Sequence, residues 1–255
     1  MRASLFMAAA LASAPLLGAA AWAAGKIPAP IAAAVADSSR PAADTDRDAA
    51  RKPAEMLALA GVKPGETVAE LLPGGGYFTR VLSLTVGPKG HVYALNPPPR
   101  PNPAGGAAPP SPTETLAQDP HYGNISVLPL SALTADPPTA PKVDLVWTSD
   151  NYHDLHNLPN ADLAAFNKHV FDVLKSGGVY IVIDHAAAAG HGTSDTSTLH
   201  RIDVETVKSE VESVGFKLAA SSDAAHNPAD PHTASIRDPS IRYHTDQFAL
   251  KFVKP

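Results

Sequence analysis

Apolar residues recur along this chain in two rhythms. Short segments at 67–72, His91–Asn96, 125–128, 143–148 and 179–183 are apolar at most positions, as strands covered on both faces of a sheet must be. Between them the spacing becomes helical. Across 160–174, Leu163, Phe166, Val170, Val173 and Leu174 fall on one face, with Asn160 placed to cap the helix. Across 204–214, Val207, Val211 and Val214 do the same behind Asp203 as cap, and Gly215 stands just past the end. Helices are also expected at 51–60, where Pro53 suits the first turn and Gly61 the stop, and at Tyr77–Val86. Segments 216–221 and Gln247–Val253 read as a closing pair of strands. Strands separated by helices predict a parallel sheet with right-handed crossovers in a single α/β domain.

Two stretches fall outside that rhythm. Residues 1–23 carry Arg2, then a short apolar run from Leu5 to Gly18, then Ala21-Trp22-Ala23, the pattern of a signal peptide cleaved after Ala23. The run is too short for a bilayer span, and no later segment offers one, so no stable membrane span is expected after cleavage and the mature protein is expected to be periplasmic or secreted. Residues 24–45 form a proline- and alanine-rich lead expected to wrap the surface, and 46–255 form the folded domain. Within it, 97–112 is dense in proline and glycine, and an irregular loop is expected there.

Composition removes some functions. A formal charge of −5 offers no basic field for a nucleic acid, and the expected substrate is a small molecule or an envelope component. With zero cysteines, neither a disulfide nor a thiolate ligand or nucleophile is available. The sequence does not fix the oligomeric state.

The most informative motif is Glu70-Leu-Leu-Pro-Gly-Gly-Gly-Tyr77. A buried strand runs into an acidic residue, three glycines and a helix, the arrangement that opens a ligand crevice at the carboxyl end of a parallel strand. A dinucleotide fingerprint fits less well, because Thr79 stands where that pattern wants glycine or alanine. Further chemistry is expected after strands 4 and 5, where Ser149-Asp-Asn-Tyr-His-Asp-Leu-His156 and Asp184-His185 should share one cleft. There His153 or His185 could accept a proton near neutral pH, with Asp154 or Asp184 orienting the ring. The glycine-bearing loop 187–198 leads to His200 and Arg201, which are placed to touch an acidic substrate or simply to lie in a solvated loop.

The order of these segments resembles class I S-adenosylmethionine-dependent methyltransferases. The motifs Leu72-Pro-Gly-Gly-Gly-Tyr77, Asn151-Tyr-His-Asp-Leu155, Asp184-His-Ala-Ala187 and Thr198-Leu-His-Arg-Ile-Asp203 resemble an exported subgroup of predicted methyltransferases. The resemblance implies a Rossmann-like sheet of seven strands in the order 3-2-1-4-5-7-6, the last antiparallel, with helices on both faces. It implies S-adenosylmethionine as cofactor, with Glu70 toward the methionine amino group and Pro73, Gly74, Gly75, Gly76 and Tyr77 around the loop beneath it. Asn96, Asp150, Asn151 and Tyr152 complete the implied contacts, and His153, Asp154, Asp184, His185 and His200 form the implied catalytic group. Two departures stand out. Asn96 replaces the usual carboxylate that accepts both ribose hydroxyls, and 129–133 lacks the acid that commonly meets the adenine amino group. Two other readings stay open on the same residues. One is an exported enzyme holding a metal through His153, His156, Asp184 and His185; the other is a noncatalytic binding protein on this fold.

Overall fold

The computed structural model describes residues 20–21, 25–99, 101–102, 105–136 and 138–255. Seven main strands form one sheet: β1 (Thr67–Leu71), β2 (His91–Asn96), β3 (Ile125–Pro129), β4 (Val143–Ser149), β5 (Leu174–His185), β6 (Lys217–Ser222) and β7 (Gln247–Val253). Their order is 3-2-1-4-5-7-6, and β7 runs antiparallel to both β5 and β6. A two-residue strand, Ala20–Ala21, pairs parallel to Ala220–Ser221 at the outer edge. The expected cleavage point after Ala23, and most of the leader before it, lie outside the described residues.

Alternation along the central strands builds two cores, one on each side of the sheet. Val68, Leu145, Trp147, Ile181 and Ile183 face one core, where α1 (Ala29–Val35), α2 (Pro53–Ala60) and α3 (Tyr77–Val86) supply Ile31, Met56, Leu57, Phe78, Val81 and Leu82. Ala69, Leu71, Val146, Tyr180 and Val182 face the other. There α5 (Leu163–Val173) and α6 (Val204–Ser213) pack with Phe166, Val170, Val173, Val207 and Val211; the intervening α4 is Pro112–Leu116. Apolar coverage of both faces is why these strands read as nearly continuous apolar runs.

The structure departs from the sequence reading at the lead. Residues 24–45 do not merely wrap the surface: α1 forms there, and Ile31 and Ala34 are buried against the first core. The α5 cap is also Asp162, whose side chain accepts from the Ala165 N–H at 2.9 Å. Asn160 instead takes a left-handed turn two residues earlier, with φ 58°. The 97–111 stretch is irregular where described, and α4 begins directly after it behind a Ser111–Glu114 capping box. No helix among the described residues is long and apolar enough to cross a membrane.

Candidate active site

Everything chemical converges on the carboxyl ends of β1, β4 and β5 and on the amino end of the antiparallel β7. β1 gives way to Leu72 at φ 51°, Gly74 at φ 57° and Gly76 at φ 79° before α3 starts, so the loop needs left-handed backbone at three places in five residues. A Cβ built at Gly74 or Gly75 meets no heavy atom within 4 Å, so the loop borders open space. Glu70 is buried between β1 and α3 and accepts from the Thr79 hydroxyl at 2.5 Å. Burial pushes its carboxyl up to about 8, although the Thr79 bond and the charges of Arg51 and Arg80 pull the other way.

The lead and first domain residues close over this loop. Tyr77 is buried and donates to Asp48 at 2.6 Å, and Asp48 in turn pairs with buried Arg40 at 2.6 Å. The guanidinium of Arg51 lies 4.4 Å from the centroid of the Tyr77 ring, and also pairs with Asp150 and donates to Ser149 Oγ. None of these arginines was singled out from the sequence. The signal for Arg51 was only the acidic–basic alternation across 44–51, and Arg40 lies outside it.

The resemblance-implied cofactor residues divide into two groups. Gly74, Gly75 and Pro73 border the crevice, and Asp150, at φ 59°, faces a pocket described below. Asn151 is a clamp: its amide nitrogen lies within 3.2 Å of the carbonyls of Leu71, Leu72 and Ser149, and its oxygen accepts from Thr148. Two positions correct the expectation of direct cofactor contact. Asn96 spends both ends of its amide inside the fold, donating to Ser111 Oγ at 2.8 Å and accepting from Thr113 Oγ1 at 3.0 Å. Tyr152 is fully buried in the second core, its hydroxyl held by Asn167 at 2.8 Å and by Glu210 at 2.9 Å.

The histidines behave differently from one another. His153 lies in the helical turn Tyr152–Leu155 after β4, where both its backbone N–H and its ring Nδ1 meet the two oxygens of Asp184, each at 2.7 Å. Asp184 is wholly buried, and it also accepts from the His185 backbone N–H at 2.8 Å. Burial works against both charges in this pair. The attraction between them prevails, raising the imidazole above its ordinary value and holding the carboxyl below its own. Asp184, not Asp154, therefore orients the His153 ring. On the other side of the ring, Nε2 lies 3.4 Å from Asp154 Oδ1, which is itself 3.5 Å from Nδ1 of His200.

His185, at the end of β5, turns its Nδ1 to Thr245 Oγ1 at 2.8 Å, with Gln247 Nε2 at 3.3 Å. Burial lowers its pKa and favours the neutral ring, with the nearby carboxylates of Asp150 and Asp184 opposing. The four-residue set His153, His156, Asp184 and His185 does not assemble as metal ligands. His156 is drawn off to Glu210 at 3.2 Å, and Asp184 is spent on His153. Arg201 is wholly buried too: it pairs with Asp230 at 2.8 Å and donates to the carbonyls of Ala186 and Ala234, so it holds loops together and meets no substrate.

His185 and Asp150 line a pocket of about 380 Å³ together with Arg47, Arg51, Arg237 and Arg242. Arg47 is paired with Asp44 and Arg51 with Asp150. Arg237 and Arg242 have no carboxylate partner among the described residues, and Arg242 stacks 5.0 Å from the Tyr243 ring centroid. Both come from the long loop between β6 and β7, which carries the turns Asn227-Pro-Ala-Asp-Pro-His232 and Asp238-Pro-Ser-Ile-Arg242.

No protein-family model and no curated protein matches this chain. Solved structures do. A SAM-dependent methyltransferase from Aquifex aeolicus aligns with a TM-score of 0.56 at 17% identity, over 82% of this chain and 93% of that one. An arsenic(III) S-adenosylmethionine methyltransferase from Chlamydomonas reinhardtii aligns with a TM-score of 0.54 at 16% identity, over 89% and 73%. Fibrillarin from Aeropyrum pernix, solved with natively bound S-adenosyl-L-methionine, aligns with a TM-score of 0.50 at 18% identity, over 81% and 76%. The fold is therefore that of the class I S-adenosylmethionine-dependent methyltransferases.

Proposed function

We propose that this protein is an exported S-adenosylmethionine-dependent methyltransferase whose acceptor is an anionic small molecule. The observation that carries the reading is one of position. Open space over Gly74 and Gly75 lies at the carboxyl end of β1, and the arginine-lined pocket lies at the ends of the adjoining β4 and β5. In open α/β sheets the ligand crevice forms where strand order reverses, here between β1 and β4.

The loop residues fit such a cofactor: Gly74 and Gly75 leave backbone exposed where a side chain would intrude, and Asp150 places a carboxylate in the adjoining pocket. When bound, the cofactor supplies a methyl group on a sulfonium centre. The chain's own residues do the rest. Arg237 and Arg242 hold a carboxylate or phosphate of the acceptor through charge-assisted hydrogen bonds. His185, kept neutral by burial and fixed by Thr245 and Gln247, takes the proton from the acceptor's hydroxyl or amine. Arg47, Arg51 and the β6–β7 loop line the pocket, and Arg237 and Arg242 stay exposed at its mouth.

Thermal melting tests the donor site. S-adenosylmethionine or its demethylated product, at about 100 times its dissociation constant, should stabilise the protein by roughly 2.7 kcal/mol. For a domain of this size that is a rise of very roughly 5–10 °C in Tm. Gly75→Val is the informative variant, because Gly75 does not need a left-handed backbone and a side chain there points into open space. It should melt like wild type without ligand and lose the shift with it. Absence of a shift with either compound at millimolar concentration would overturn the donor assignment.

The leader Arg2 to Ala23 supports export. Mature protein recovered from the native cell should begin at Ala24 and lie outside the cytoplasm, which intact mass and fractionation measure together. A full-length chain confined to the cytosol would end that part of the proposal.

A further inference from the structure

Three side chains that the proposed proton transfer through His185 does not use, His153 and Asp154 from Asn151-Tyr-His-Asp and His200 from Thr198-Leu-His-Arg, meet at one point. Each offers one ligand atom, a ring nitrogen or a carboxylate oxygen, and the three atoms lie within 4.8 Å of one another. We propose that these three side chains form a binding site for a divalent transition-metal ion, with Asp184 holding the His153 ring from behind.

Spacing supports this first. Tetrahedral ligands bound at about 2.0–2.1 Å stand roughly 3.3–3.4 Å apart. Asp154 Oδ1 lies 3.4 Å from His153 Nε2 and 3.5 Å from His200 Nδ1, so two of the three edges already have nearly that length. The third closes by rotation of the His200 ring, which retains some exposure.

The shell behind the ligands supports it next. A ligating histidine almost always gives its other ring nitrogen to a carboxylate or carbonyl, which fixes ring orientation and raises basicity. His153 Nδ1 meets buried Asp184 at 2.7 Å, while Nε2 is the nitrogen aimed at Asp154 and His200. His200 adopts φ 57°, an uncommon conformation for a residue other than glycine, and its ring sits edge-on to His153 with centroids 5.5 Å apart. Two imidazoles and one carboxylate, without thiolate, suit zinc and its first-row neighbours better than magnesium or calcium. Three protein ligands also leave a coordination position open, on the side where the Asp154 side chain is about half exposed.

This inference does not depend on methyl transfer, and its test reads the ion alone. Untagged protein, stripped with a chelator, is titrated calorimetrically with zinc chloride, and bound metal is checked by elemental analysis. Wild type should take up one zinc per chain. His200→Ala and Asp154→Asn should weaken binding by at least roughly tenfold, the scale of losing a supporting group, while the ion-free variants melt as wild type does. Both positions are at least partly exposed, so both variants should fold even if His153→Ala does not. His156→Ala should bind normally, because that ring is turned to Glu210. Failure of wild type to take up stoichiometric zinc overturns the site, as does undiminished binding in His200→Ala and Asp154→Asn. Loss of the ion in His156→Ala would place it elsewhere and equally overturn the assignment. A zinc-binding protein that shows no melting shift with the adenosyl compounds would retain this site and lose the donor assignment.

Discussion

Replacing His185 with glutamine is expected to lower methyl-transfer turnover by roughly two to four powers of ten, the usual cost of losing a general base. Among the described residues His185 is the one histidine that lines the arginine-bearing pocket, and Thr245 and Gln247 hold its ring. Glutamine keeps a polar end near Thr245 but has no basic nitrogen at neutral pH. Because the base acts on the acceptor's proton, the melting shift produced by the adenosyl compounds should survive in the variant while kcat falls. Turnover is read as release of demethylated cofactor with a panel of small carboxylates and phosphates. Wild-type turnover in a folded variant would remove His185 from the chemistry.

Asp230→Ala should produce the largest loss of stability, about 3–5 kcal/mol, because it leaves the buried guanidinium of Arg201 without its counter-charge. Neither side chain of the pair is exposed. Asp230 also accepts backbone N–H groups from His232 at 2.9 Å and Asp246 at 2.7 Å, so the truncation removes three partners at once. The consequence reaches function: Arg201 ties the carbonyls of Ala186 and Ala234 together, and the same loop carries Arg237 and Arg242 to the pocket. A double variant, Arg201→Met with Asp230→Leu, should regain the part of the loss that comes from the unpaired charge. The backbone groups of His232, Asp246, Ala186 and Ala234 stay without these partners.

The acid dependence follows from the direction of the Asp230 shift. Burial raises its pKa, but the N–H groups of Asp246 and His232 and the charge of Arg201 outweigh burial and leave it below 3.8. Its contribution is therefore fully present above about 3.8 and lost as pH falls through the folded value. The stability gap between wild type and Asp230→Ala should stay constant from neutral pH to mildly acid conditions and narrow only below that range. Chemical denaturation across pH measures this. A gap below about 0.5 kcal/mol at pH 7, within the range of ordinary surface substitutions, would show that the pair is not needed.

Much of the architecture was legible in the sequence because sheet and helix periods are local. β2, β7 and α3 occupy the residues their patterns specify, and Asp203 caps α6 by accepting from the Glu205 N–H. The glycine run after β1 was legible for the same reason: left-handed backbone is a property of the residue itself. Alternatives offered by neighbours in sequence were harder. Asn160 and Asp162 are both able to cap α5, and only the entry angle of the chain selects Asp162. Ile31 gave no helical period long enough to read in its proline-rich surroundings, yet the first core needs it.

Side-chain partnership is where local pattern stops being informative. The acidic candidates flanking His153 in the cleft were equivalent on paper, and the crossover from β4 to β5 selects Asp184, 31 residues away in the chain. His156, three residues on, is turned to Glu210 on α6. Asn96 and Tyr152 have polar ends that suit a ligand, but Ser111 and Thr113 take one and Asn167 and Glu210 the other. The arginines of the pocket come from opposite ends of the domain, Arg47 and Arg51 before β1 and Arg237 and Arg242 before β7. Backbone period and glycine placement therefore determined the strands, the helices and the crevice, because each residue expresses those preferences alone. Which charges face that crevice was decided by tertiary structure, because a buried polar group must satisfy its hydrogen bonds with whatever partner the fold brings within reach.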